Sequence, residues 1–193
     1  MRRRNGLSFG KQRKKFNVPL FKEVMTWIVQ IVIVIFVAYV VVNFWGVRTS
    51  VVGQAMASNL NSGDEVFLDK LVYVFSNPKA GDVVVFLPNG NEKSHYYVRR
   101  VIGVPGDKLQ IKDGAVYING KLYDEKTPVA AMEEAGIAEE EIVLGDNEYF
   151  VLGDNRNNSE DSRYANIGFV KKEYIVGKAW YKFTSFKDMG FVH

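Results

Sequence analysis

Two runs of this 193-residue chain concentrate the groups that could perform chemistry or support it. Arg99-Arg100-Val101-Ile102-Gly103-Val104-Pro105-Gly106-Asp107 joins paired guanidinium groups to a turn. Gly153-Asp154-Asn155-Arg156-Asn157-Asn158-Ser159-Glu160-Asp161-Ser162-Arg163 interleaves carboxylates, guanidinium groups and hydroxyls. Carboxylates paired with arginine can fix loops geometrically without doing catalysis. The chain has no cysteine, which excludes disulfides, thiol nucleophiles and cysteine metal sites. His95 and His193 are its only histidines, and no H-E-x-x-H spacing exists, so zinc and histidine-triad mechanisms are closed and no metal or cofactor is expected. Hydroxyl nucleophiles remain at Ser50, Ser58 and Ser159, but none has an evident base. His95 stands four residues before Arg99, at an expected loop-to-strand junction.

The two runs resemble the downstream signatures of type I signal peptidases, membrane-bound Ser/Lys enzymes that remove signal peptides, and the small size resembles the compact Gram-positive form. The resemblance extends from the apolar segment at Met25 to about Phe183. The family pattern around the nucleophile reads Gly-x-Ser-Met-x-Pro-Thr-Leu, whereas this chain reads Gly53-Gln54-Ala55-Met56-Ala57-Ser58-Asn59-Leu60. The family's downstream box opens Lys-Arg, and here it opens Arg99-Arg100. The resemblance therefore puts Ala55 at the nucleophile position and Arg99 at the general-base position, both substituted. A Ser/Lys dyad works because a desolvated lysine can lose its proton and accept the one from serine. Arginine stays charged in a protein and alanine has no nucleophile. By the same resemblance, Ser159 falls where the family has a serine supporting the lysine, and Met56 and Ser159 belong to the substrate cleft. Arg100, Asp154, Asp161 and Arg163 match the charged scaffold behind the site, and they are read, like Ser162, as structural. Family substrates lie extended against strand edges, a contact that requires neither dyad residue.

These residues need elements to position them, and the chain supplies two contrasting parts. Before residue 24 there are eight basic residues (Arg2, Arg3, Arg4, Lys11, Arg13, Lys14, Lys15 and Lys22) against Glu23 alone, whereas the portion from Gly46 onward carries 17 basic and 21 acidic residues. Met25 to Trp45 holds no charge, and its length of about 31 Å matches a hydrocarbon core of about 30 Å. Trp27 and Trp45 stand near its ends, as at a membrane interface. The positive-inside rule puts residues 1–24 in the cytoplasm as a basic tail, 25–45 across the membrane and 46–193 outside. A nucleic-acid role for the basic run is set aside because a span follows directly behind it. Ala55-Met56-Ala57 has the form of a signal-peptide cleavage site, but it lies about ten residues past an apolar run too long for a signal peptide, so the run is read as a retained anchor.

Beyond the anchor the pattern is mainly β, predicting an antiparallel β-rich domain of signal-peptidase fold on a single N-terminal transmembrane helix. Strands are expected at 66–68, 71–75, 83–86, 96–103, 109–111, 115–118, 121–123, 149–152 and 174–183. Asp113-Gly114 and Asn119-Gly120 are strong hairpin signals. Thr127 to Glu141, with Pro128 near its start and an Ala/Glu/Met-rich stretch behind, is expected to form a short acidic helix. The resulting expectation is a single-pass membrane protein without peptidase activity that binds extended segments of exported preproteins or pilin-like surface proteins at the outer face, by analogy with peptidase-like proteins of pilus assembly. Its partners would also include membrane lipid and exclude nucleic acid. The alternative is an active signal peptidase with an atypical dyad.

Overall fold

The computed structural model describes residues 17–45, 47–57, 59–125, 128–184 and 189–192. The first sixteen residues of the basic tail, Ser58, Thr127 and His193 therefore lie outside the described residues. The chain forms two units, divided between Tyr39 and Val40.

The apolar segment is helical, as its composition requires, but α1 runs from Val18 to Trp45 and starts seven residues before the uncharged stretch. Absence of charge delimits a hydrocarbon span, whereas backbone chemistry delimits a helix. Asn17 accepts from the Leu20 N–H at 3.4 Å through its side chain and from the Phe21 N–H at 3.0 Å through its carbonyl, and Pro19 fits the first turn. Lys22 and Glu23 then ride on the first turns. The described helix is long and apolar enough to cross a membrane.

The body carries a large antiparallel sheet and a smaller one. The strands are β1 (Arg48–Ser50), β2 (Glu65–Asp69), β3 (Val83–Phe86), β4 (Tyr97–Gly103), β5 (Lys108–Lys112), β6 (Ala115–Ile118), β7 (Lys121–Leu122), β8 (Ile142–Val143), β9 (Glu148–Leu152), β10 (Val170–Lys171), β11 (Ile175–Phe183) and β12 (Met189–Phe191). The large sheet has the order β1-β2-β11-β3-β4-β9-β10, with β12 added to β11. The small sheet has the order β7-β6-β5-β8. Its two hairpins turn at Asp113-Gly114 and Asn119-Gly120, where both residues of each pair have positive φ (52° and 75°, 53° and 75°). That is the backbone of a two-residue type I′ turn, and it is why Asn-Gly and Asp-Gly are the informative pairs.

β3 is buried along its whole length, and its period of two sends alternate residues to opposite faces. Val83 and Val85 join Val51, Met56, Leu60, Val66, Leu68, Val98 and Ala179. Val84 and Phe86 join Tyr73, Val101, Tyr149, Val151, Ile167 and Val170. A third cluster, around Ile102, Leu109, Ile111, Leu144 and Phe150, packs the small sheet.

Two expected elements are corrected. Residues 72–75, read as a strand, form the single helical turn α2 (Val72–Phe75). Asp69 Oδ1 accepts from the N–H groups of Leu71 and Val72 at 2.9 and 3.1 Å, and Ser76 Oγ donates to the Val72 carbonyl at 2.5 Å. An apolar run this short has no decisive period, and the flanking caps settle it. The described part of 127–141 holds no α-helix, only a 3-10 turn at Gly136–Ala138. Gly136 has φ +58°, and a Cβ there would lie 2.2 Å from the Arg163 carbonyl oxygen, which itself accepts from the Ile137 N–H at 2.9 Å. Docking against residue 163 takes the backbone away from helical continuation.

Candidate functional site

The loop that carries Ala55 is tied down by its own apolar residues. Met56 and Leu60 are 1% and 0% exposed, sit in one core cluster with Val51, and are joined by a bond from the Leu60 N–H to the Met56 carbonyl at 2.6 Å. Met56, expected in the cleft, thus serves as an anchor in the core. Ala55, 7% exposed, is held through its main chain, because its carbonyl accepts from the Asn155 N–H at 2.9 Å and Asn155 Nδ2 reaches the Gln54 carbonyl at 3.2 Å. Asn59 Nδ2 donates to Asp154 Oδ2 at 2.8 Å. The 153–155 turn therefore grips the 54–59 loop at three points. It can approach this closely because residue 153 is glycine. A Cβ on Gly153 would stand 2.2 Å from Ser159 Oγ and 2.5 Å from the Ala55 carbonyl oxygen. Ser159 Oγ and the Ala55 carbonyl thus both lie close to Gly153.

The second wall is β4. Arg100 forms a fork onto Asp154, with Nε to Oδ1 and Nη2 to Oδ2 both at 2.7 Å, and its Nη1 donates to the Gly81 carbonyl at 2.9 Å. Asp161, fully buried, accepts from the Gly153 N–H at 3.1 Å and from Arg163 Nε and Nη2 at 2.8 and 3.0 Å. Arg163 also donates to the carbonyls of Glu134 and Arg156, at 3.1 and 2.5 Å. Arg156 reaches the Gly153 carbonyl at 3.1 Å and Glu125 at 2.6 Å. Burying a charge is costly unless hydrogen bonds or an opposite charge compensate it, and this network supplies both while joining loop 153–163 to the neighbouring segments. Ser162 bridges to Val151 in both directions, at 3.1 and 3.0 Å, which occupies its hydroxyl in loop structure.

Arg99 differs from its neighbours. It is 6% exposed and reaches no carboxylate within ion-pair distance among the described residues, and its guanidinium ends on main-chain carbonyls. Nε and Nη2 donate to the Glu160 carbonyl at 2.9 and 2.5 Å, Nη1 donates to the Val98 carbonyl at 2.7 Å, and the Tyr97 ring lies 4.9 Å away. Burial pulls the Arg99 pKa below its ordinary value, opposed by the nearby charge of Asp161 and by Tyr97 and Glu160. Arginine stays protonated in a protein, so this side chain, held on main-chain carbonyls, is a fixed cation and no proton acceptor. Ser159 Oγ, buried against Gly153, has no hydrogen-bond partner among the described residues.

Other candidates are dispersed. Ser50 is exposed on β1 opposite Glu65, and His95 is exposed ahead of β4. Among the described residues no cluster of histidines and carboxylates is placed to hold a metal ion. Sequence reasoning assigned no role to Asn155, Gly153, Tyr97 or Glu160. Asn155 and Gly153 lie inside the quoted motif, but Glu160 acts through its carbonyl, which no residue type encodes.

The family profile described as "Signal peptidase, peptidase S26" matches residues 24–184. Signal peptidase I S of Bacillus subtilis (strain 168) is 34% identical over 184 residues, covering 91% of this chain and 97% of that relative. Signal peptidase IB of Staphylococcus aureus (strain COL) is 32% identical over 182 residues, covering 86% and 93%. A solved signal peptidase I from Enterococcus faecalis V583 is 28% identical and covers 53% of this chain and 97% of its own, with a TM-score of 0.41.

Proposed function

This chain belongs to the signal peptidase family, peptidase S26, and on that premise we propose that it is a membrane-anchored member without peptidase activity. It holds extended segments of exported preproteins, pilin-type surface proteins among them, at the outer face of the membrane. The observation that carries this reading is the pair at the dyad positions. Ala55 presents a methyl group where acyl transfer needs a nucleophile, and Arg99 is a buried cation whose N–H groups are committed to the Glu160 and Val98 carbonyls. Such a guanidinium cannot take the proton of a hydroxyl. The Arg100–Asp154 and Arg163–Asp161 ion pairs are formed, and their place in the two resembling runs supports reading them as the scaffold that would position a dyad. Retaining the frame while losing the reacting groups supports a role in which the cleft binds and does not cut. Main-chain pairing with an extended segment supplies affinity without either dyad residue.

The test is direct. The purified full-length chain, assayed on a preprotein that the Bacillus subtilis relative cleaves, should give no product. Turnover at even about a hundredth of that relative's rate, surviving repurification, would sink the non-cleaving reading, because losing one member of a catalytic triad already leaves only about 10³–10⁴-fold acceleration over water.

A further inference from the structure

The edge on which an extended segment would pair is the N-terminal half of β4. Val101 exchanges main-chain bonds with the β3 side, donating to the Asp82 carbonyl and accepting from the Gly81 N–H, both at 2.8 Å. Antiparallel alternation turns the main chain of residues 97 and 99 the same way, so Val98 and Arg100 direct theirs to the opposite side. There Arg100 stands opposite Leu152 of β9. β9 ends at Leu152, and Gly153 leads away into the turn that grips loop 54–59, so Val98 lies beyond the last rung. The Val98 carbonyl is taken by the guanidinium of Arg99, which curls back along its own strand.

The same guanidinium fastens the facing loop. Its other donors hold the Glu160 carbonyl, while the Glu160 carboxylate accepts from Tyr97 Oη at 2.8 Å and from the Asn166 side-chain amide. A lysine ammonium is a compact point charge, but the arginine fork has five donors spread over a plane and can span two carbonyls at once. Among the described residues the closed arrangement also leaves a buried polar atom unmatched, Ser159 Oγ, which an entering main-chain amide or carbonyl could satisfy.

We infer that Arg99 is an internal occupant of the cleft: its guanidinium holds the Val98 carbonyl that an incoming extended chain needs, so the edge is closed at rest. An extended segment enters only by displacing that guanidinium. This inference rests on the reading of the cleft as a site for extended segments. Affinity is then reduced by the fraction of molecules in which the edge is open. Because the competing bonds are charge-assisted, the penalty is on the order of 10–100-fold.

The experiment measures binding of a labelled, end-capped peptide of about twelve residues, with alanines at the first and third positions before the cut, to the full chain in detergent. Wild type is compared with Arg99→Met, which fills the space without donors, and melting curves establish that both are folded. The expected result is binding about 10–100-fold tighter in Arg99→Met. Methylating the peptide amide opposite Val98 should abolish that gain, which a merely looser fold would not explain. Should Arg99→Met fail to fold, Tyr97→Phe, which removes the Tyr97 bond to the Glu160 carboxylate while keeping the ring, must still tighten binding about threefold. Folded variants with wild-type affinity, or with no binding, overturn the closed edge. If wild type binds as tightly as the variants, the closed edge fails while the holding role stands; cleavage by wild type would remove the holding role alone.

Discussion

Ser159 and Asp161 lie two residues apart in one loop, both buried, and the structure assigns them opposite energetic signs. Ser159 Oγ is unpartnered among the described residues, and the residue is 9% exposed. Leaving a buried hydroxyl unsatisfied costs about 1–3 kcal/mol, so its removal relieves a penalty. Asp161 neutralises Arg163 and accepts from the Gly153 N–H, and losing one partner of a buried pair costs about 3–5 kcal/mol. Ser159→Ala is therefore expected to melt at or slightly above the wild-type temperature, whereas Asp161→Ala should melt lower by roughly 10 °C. Thermal melts of the two variants check this. A destabilised Ser159→Ala would mean that the hydroxyl is bonded in solution, and an unchanged Asp161→Ala would remove the scaffold role given to the pair.

Elements meet at Asp82, and the junction carries a pH dependence. Tyr73 of α2 donates to Asp82 Oδ2 at 3.0 Å, and Lys178 of β11 donates to Oδ1 at 2.5 Å, so one carboxylate just ahead of β3 joins three elements. Burial first, and then the charge of Asp82, raises the Tyr73 phenol above its ordinary value of 10.0. The folded state thus keeps a proton that the unfolded chain gives up. The stabilisation is fully present below about pH 10 and is lost as pH rises above it toward the folded value. Comparing the melting of wild type and Tyr73→Phe from about pH 8 to about pH 11 isolates this group, since the other tyrosines are common to both. The wild-type advantage should shrink across the upper part of that range. A constant difference would show that the phenol is not proton-linked to folding.

For the whole molecule, the charge asymmetry and α1 together predict an orientation. Eight basic residues precede residue 24, and the membrane retains such clusters on the cytoplasmic side. The chain contains no cysteine, so single introduced thiols report position without background. A membrane-impermeant maleimide on intact cells should label Glu92→Cys, an exposed body position, and should label Arg4→Cys only after lysis. The reverse pattern would overturn both the topology and the outer-face role proposed above.

What the sequence determined by itself is what local chemistry enforces. The uncharged run from Met25 to Trp45 had to be a long helix, because its backbone groups find partners within the segment. Asp113-Gly114 and Asn119-Gly120 had to turn hairpins, because few other pairs tolerate two successive positive φ angles. The motif residues Arg100, Asp154, Asp161 and Arg163 were legible as complementary charges, and the structure forms the pairs Arg100–Asp154 and Arg163–Asp161. The tertiary structure alone decided where neutral main-chain groups stand. Whether 127–141 becomes a helix depends on a carbonyl at residue 163 wedged against Gly136. The state of Arg99 depends on the carbonyl of Glu160, 61 residues away, together with the end of β9 at Leu152, which leaves the Val98 carbonyl open to it. Carbonyl oxygens are identical at every position of a chain, so no residue pattern announces which of them will meet a guanidinium; only the folded path of the backbone brings those two to Arg99.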